Sequence, residues 1–260
     1  MVKTLSAAST SALIDVALEL GRANEGEPLW HRGHTSKSHT LIPSLFRKLN
    51  DAEEIFDIER RLITRFRQRS LPYWPNGYPQ NDWEHLFAMQ HYGIPTRLLD
   101  WTENLLVALY FAALPTVPER EVDDTPAIWK ISPARWNRNA KHLDEFDDIG
   151  ILTTDDEELK SYAPLDRQLV QRHKVPLAIY GTHNSARIVA QRGAFSVAGK
   201  SLEPMEQFAV PEVDALWKID LLYPRDVMRN DLEVLGFAES MVFPDMVGLS
   251  KEITASEGLR

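Results

Sequence analysis

The chain has 260 residues, 43% hydrophobic and 26% charged, an ordinary globular composition that can bury a substantial core without covalent staples. It contains no Cys, which excludes structural disulfides, thiolate zinc sites and a cysteine nucleophile. With 29 basic against 38 acidic side chains its net charge is −9, a poor basis for broad binding to a phosphate backbone.

At the N-terminus, MVKTLSAASTSALIDVAL lacks the clean apolar stretch of a signal peptide, because Asp15 and Glu19 interrupt it. Residues 9–22 are expected to form an amphipathic helix, with Leu13, Val16, Ala17 and Leu20 at helical spacing. EPLWHRG reads as a short strand ending at Gly33. DAEEIFDIERRLITRFRQR is the clearest helix. Asp51 can cap it, and Ile55, Ile58, Leu62 and Phe66 form its apolar stripe.

PYWPNGYPQ is a loop, and a helix should follow from about Asp82 to Tyr92, stopping at the Gly-Ile-Pro turn. Asn104 to Leu114 reads as a buried helix closed by Pro115, and PTVPEREVDDTP as a solvated linker. AIWKISP, PLAIYG, AFSVAG and DALWKIDL are strand candidates, and PRDVMRNDLEVLGF and FPDMVGLSKEI terminal helices. The acidic segment 140–160 is expected to be an insertion or lid. The basic run at 60–69 and the acidic run at 144–158 read as solvated surfaces. Helices outnumber strands in mixed order. The expected fold is α+β, a single domain with a small mixed or antiparallel sheet flanked by several helices. No window approaches the roughly 18 apolar residues of a membrane span, so no membrane contact and a cytoplasmic location are expected.

No Gly-rich dinucleotide loop, P-loop, nucleophile elbow or HExxH helix is present. His31 and His34 lie three apart on an extended strand, which does not aim both at one metal, so no metal is expected. Arg32 presents a planar fork suited to phosphate or carboxylate, and Gly33 lets a ligand approach the backbone. His34, Thr35, Ser36 and Ser38 continue as a donor-rich loop. In MQHYGIPTRLLDWTEN, His91 is a candidate general base, and Arg97, Asp100, Trp101 and Thr102 crowd the start of a helix. Asp100 has Arg97 or Arg32 as an alternative, structural partner. Thr102 or Asn104 can cap the helix, and Trp101 reads more readily as packing than as ligand stacking. In SARIVAQRGAFSVAG, Gln191 stands just ahead of a Gly and a short strand.

Taken together, these residues resemble the FRG domain family, named for an aromatic-Arg-Gly motif that here reads His31-Arg32-Gly33. LIPSLFRK, QHYGIPTRLLDWT with its apolar helix, ARIVAQRGAFSV and GFAESMVFPDMVGLSKEI match successive family elements, from about Trp30 to Ile253. The resemblance implies one FRG-type domain over 1–260, with an N-terminal helix in 1–26 and a core over 27–253. It also implies a bacterial or phage-associated protein with a role in defence or toxicity.

More distantly, the layout is similar to that of ADP-ribosyltransferases, which implies a split sheet and NAD as substrate. On that likeness Arg32, Gly33 and His34, with Arg97 and Trp101, would bind the nucleotide. Asp100 and Thr102 would line the nicotinamide side, and Gln191 would take the place of the catalytic Glu, with His91 as base. A Gln supplies the hydrogen bond but not the charge, so Asp100, Glu103 or Glu206 would have to supply it. The functional expectation is an ADP-ribosyltransferase-like enzyme or NAD glycohydrolase with a protein or nucleic-acid acceptor. The alternative is a non-catalytic module binding a nucleotide, a nucleic-acid end or a protein in the same cleft.

Overall fold

The computed structural model describes residues 2–48, 51–74, 77–115, 125–146, 148–165, 173–182, 185–210 and 213–259. The expected linker at 115–126 lies largely outside them. In chain order the elements are β1 (Lys3–Ala7), α1 (Thr10–Ala23), β2 (Trp30–His34), α2 (Ala52–Ser70), α3 (Asp82–His91), β3 (Leu98–Thr102) and α4 (Leu105–Ala112). They continue with β4 (Ala127–Ile131), α5 (Pro133–Arg138), β5 (Leu177–Ile179), α6 (Ala186–Ala190), β6 (Gly193–Val197) and β7 (Leu216–Leu221). The chain then closes with α7 (Arg225–Val234), α8 (Glu239–Val242) and α9 (Met246–Ser256). The fold is α+β. β1 was not expected ahead of the first helix; it pairs in parallel with β7, which no local signal announces.

All seven strands join one sheet in the order β1-β7-β4-β2-β3-β6-β5, larger than expected. It is continuous but pinched in the middle. β2 is paired along its whole length with β4, and β3 along its whole length with β6. Between β2 and β3 the register holds at a single pair, His31 opposite Thr102. Beyond that pair the two strands diverge. The sheet is therefore two ladders meeting at one rung.

Side chains alternate across a strand, so residues opposite one another share a face. Gly33, Ile128 and Ile219 thus lie on the face that carries a core with Val107, Ala108 and Met228. Phe195 and Val197 lie on the same face, in a second core with Phe87, Met89 and Leu98. α4 belongs to the first cluster and α3 to the second, and the strand divergence runs between them. The opposite face is packed with Trp30, Leu99, Trp101, Trp129 and Trp136.

Local chemistry fixes the helices that bound the gap. Asn81 caps α3 by accepting from the Glu84 N–H at 2.9 Å. At its other end Gly93 adopts φ +78° and the Ile94 N–H reaches the Met89 carbonyl at 2.9 Å, a Schellman closure that Pro95 follows. Asn104 caps α4 from its side chain, while Thr102 Oγ1 accepts from the Asn104 N–H at 3.0 Å. Gly33 lets α4 lie against β2: a Cβ there would stand 1.9 Å from the Ala108 carbonyl oxygen.

Residues 140–160, expected as an insertion or lid, bury Leu143, Ile149, Leu152 and Leu159 in the α3 core, and none of their described residues lines the cleft. No helix among the described residues is long and apolar enough to cross a membrane.

Candidate functional site

Where β2 and β3 part, a cleft of about 670 Å³ opens, walled by α3, α4, α6 and the segment after β2. That size lies within the usual range for small-molecule sites. Arg32, Gly33 and His34 from β2, His91 from the end of α3, Asp100, Trp101 and Thr102 from β3, and Gln191 from α6 all line it. The expected residues therefore converge on one cavity, with one exception.

The exception is Arg97. It is fully buried away from the cleft, with Nε 2.8 Å from Glu59 Oε1 and Nη1 donating to the Ala198 carbonyl at 3.1 Å. Its remaining arm donates to the Tyr162 carbonyl. Arg97 is a structural bolt between α2 and β3 and cannot reach a ligand. Asp100 therefore pairs with Arg32, not with Arg97.

Arg32 stands in for the missing ladder. Its Nη1 donates to the Asp100 backbone carbonyl at 2.5 Å and lies 3.9 Å from the Asp100 carboxylate. Burial depresses the Arg32 pKa, Asp100 pushes it back up, and the nearby Arg47 lowers it again. Arg32 Nε also donates to His34 Nε2 at 3.1 Å, while His34 Nδ1 faces the His39 carbonyl at 3.3 Å. Accepting on one nitrogen and donating from the other requires the neutral Nδ1–H tautomer. Burial first, then the charge of Arg32, hold the His34 pKa well below its ordinary value, consistent with that form.

Asp100 is more than half exposed and is held from the other side by Gln90. Gln90 Nε2 donates to Asp100 Oδ2 at 2.6 Å, and Gln90 Oε1 accepts from the Thr96 hydroxyl. Thr96 Oγ1 in turn accepts from the Leu98 N–H at 3.1 Å. His91, next along α3, has its pKa lowered by burial and by Arg187, with Asp100 opposing. Its Nδ1 is 3.5 Å from Ser185 Oγ.

Thr102 and Gln191 are tied to the frame. Thr102 Oγ1 donates to the Gln191 carbonyl at 2.5 Å, and Gln191 Nε2 donates to the Val242 carbonyl at 3.0 Å. Gln191 ends α6 instead of standing on a strand. Trp101 is 3% exposed and donates to Ser196 Oγ at 3.0 Å, which is packing. Of the carboxylates expected to supply charge, only Asp100 lines the cleft. Glu103 accepts from the Tyr180 hydroxyl at 3.0 Å, and Glu206 accepts from the Leu41 N–H at 3.0 Å.

The sequence model of the FRG domain family matches residues 27–120. The chain carries an FRG domain. Comparison with curated proteins and with solved structures gives no match. The matched FRG span supplies β2, the cationic segment that follows it, α3, β3 and α4, hence most of the cleft. Arg187 and Gln191 come from beyond it.

Several cleft residues were given no site role by sequence reasoning. Gln90 was visible in the FRG signature but read as a helix end. His31 is buried at the cleft, its pKa held at about 3 by burial and by Lys130, and its Nδ1 has no partner among the described residues. Arg47 and Arg187 stand in the LIPSLFRK and ARIVAQRGAFSV elements, but only the fold brings them to the cleft. Among the described residues no group of three or more His, Asp or Glu side chains is placed to hold a metal ion.

Proposed function

We propose that the cleft binds a nucleotide, with NAD as the substrate and cleavage of its nicotinamide–ribose bond as the reaction. The observation that carries this reading is the composition of the cleft around Asp100, the one carboxylate among its described lining residues. Arg32 and Arg47 both line the cleft, with Thr35, Ser38 and Thr40 from the segment after β2, a set that suits a diphosphate. Phe111, which lines the cleft and is only partly buried, offers an apolar wall for a flat ring. Asp100 lies between, held but solvent-accessible.

The chemistry follows from that order. As the C1′–N bond breaks, its electron pair neutralises the nicotinamide ring nitrogen and leaves an oxocarbenium-like sugar. The Asp100 carboxylate stabilises that charge, the role Gln191 cannot fill. His91, neutral because its pKa is depressed, takes the proton of the water or acceptor hydroxyl that attacks C1′. Water as nucleophile makes the protein a NAD glycohydrolase; a macromolecular hydroxyl makes it an ADP-ribosyltransferase-like effector, in keeping with a defence or toxic role in a bacterial cytoplasm.

The test is NAD turnover and calorimetric binding by the purified protein. Asp100→Asn should lower turnover at least about 100-fold with little change in affinity, the pattern for a group needed only in the transition state. Arg32→Ala should weaken binding instead. A second reading, a nucleotide-binding module without turnover, is favoured by the engagement of Gln191 with Val242 and of Asp100 with Arg32. It predicts binding lost in Arg32→Ala and no NAD consumption by any form. Absence of both binding and turnover would reject the nucleotide altogether.

A further inference from the structure

The cleft has a second cationic end. Arg187, in the first turn of α6, lines it, and among the described residues its guanidinium makes no ion pair and no hydrogen bond. Its contact is with an aromatic face: Cζ lies 4.7 Å from the centroid of the Phe243 ring. A cation–π contact holds a guanidinium in place while leaving its charge and its in-plane N–H donors uncommitted. The side chain is thus positioned but not neutralised.

The two cationic ends flank the carboxylate. Arg47 acts electrostatically on Arg32 and His34, whereas Arg187 acts on His91; Asp100 acts on both Arg32 and His91. Hydrogen bonds give the same order. Arg32 donates to the Asp100 carbonyl, and Gln90 of α3 donates to the Asp100 carboxylate. His91, beside Gln90, faces Ser185, the cap of the helix that carries Arg187. The first end comes from β2 and the segment after it, the second from α3 and α6. A single phosphate or diphosphate satisfies one end and leaves the other bare.

We propose that Arg187, with His91 beside it, forms a second phosphate subsite, and that the preferred occupant is a nucleotide whose sugar lies over Asp100 with a phosphate on each side. This rests on the cleft taking a nucleotide, as above, but not on NAD itself, whose phosphates lie on one side of that sugar; it names a second occupant of the same cleft. The shared chemistry occurs in a free nucleoside bisphosphate and in a nucleotide within a single strand.

Calorimetry with AMP, adenosine 3′,5′-bisphosphate, a single-stranded pentanucleotide and inorganic phosphate tests it. The wild-type protein should bind the bisphosphate at least about tenfold more tightly than AMP, the usual gain from one charge-assisted pair. Arg187→Gln, with an unchanged melting temperature, should remove that preference while leaving AMP affinity within about twofold, since a single phosphate held at the Arg32 end leaves the Arg187 end unused. Phe243→Leu should reduce the preference in part. Tighter binding of the pentanucleotide than of the bisphosphate assigns the source to a strand; the reverse assigns it to the free nucleotide, and either supports the subsite.

Equal affinity for AMP and bisphosphate, or a preference that survives Arg187→Gln, overturns the subsite and leaves the nucleotide reading standing. Inorganic phosphate separates the opposite case. Two phosphate sites, one lost in Arg187→Gln and one in Arg32→Ala, with no uptake of any nucleotide, keep the subsite and reject the nucleotide. No uptake of any probe overturns both.

Discussion

Gln90 and Asp100 are joined by a 2.6 Å hydrogen bond across the turn that separates α3 from β3, and the orientation of the Gln90 amide is dictated by Thr96. The carboxylate is thereby aimed from within the same short motif that carries it. Gln90→Ala should cost about 1 kcal/mol or less of stability, because Asp100 can be solvated in its absence. It should lower NAD turnover by about 10- to 100-fold, the worth of one hydrogen bond to a charged group. Turnover at the wild-type level in a folded Gln90→Ala protein would show that Asp100 needs no such aiming.

Arg97 and Glu59 give the contrasting expectation. Both are essentially buried, and Glu59 Oε2 has no partner among the described residues. Removing one partner leaves the other charge buried and alone, so Arg97→Met should destabilise by about 3–5 kcal/mol. The double variant Arg97→Met with Glu59→Met should recover most of that loss. Denaturant midpoints of the three proteins decide it; equal destabilisation in single and double variants would contradict the coupling.

Gly33→Ala places a methyl group 1.9 Å from the Ala108 carbonyl oxygen and 2.7 Å from the Ala112 nitrogen, both backbone atoms. Backbone cannot rotate away as a side chain would. α4 must shift off β2, at a cost of about 1–3 kcal/mol or more by analogy with overpacked cores. The same shift moves Val107 and Phe111 in the cleft wall, so ligand affinity should fall together with the melting temperature. An unchanged melting temperature would mean that α4 does not rest on Gly33.

Acid should weaken the fold early. His31 is held at about 3 and His142 at about 4 against an ordinary 6.5, both chiefly by burial. Above pH 6.5 neither the folded nor the unfolded chain protonates these rings. Between 6.5 and the folded values only the unfolded chain does, so stability is complete above 6.5 and declines as pH falls toward 3–4. Each such proton contributes a slope of up to about 1.4 kcal/mol per pH unit. Urea unfolding at pH 7 and pH 5 should show the decline, and His142→Asn should flatten it; identical stability at the two values would refute the assignment.

Much of this fold was legible in the chain. The Asp51 cap and apolar stripe of α2, the Gly-Ile-Pro stop of α3 and the apolar run of α4 are local signals, and each element appears where they place it. β1 is short and half exposed, and its partner lies more than two hundred residues away, so nothing nearby marks it. The site follows the same division. His91 and Asp100 sit in one motif and Arg32 in another, and all three were visible; Arg47 and Arg187 reach the cleft only through tertiary folding. Arg97 misled because it stands three positions before Asp100, while its true partner, Glu59, is on α2.

The single rung at His31 and Thr102 has a mechanical meaning. Two well-laddered half-sheets joined at one point form a seam, and the cleft is the open length of that seam. Any molecule gripping both banks becomes a strut across it. Amide exchange in β2 and β3 should then slow in concert on ligand uptake, while β1 and β7, far from the seam, keep their rates. The occupant would supply the stiffness that the missing rungs do not.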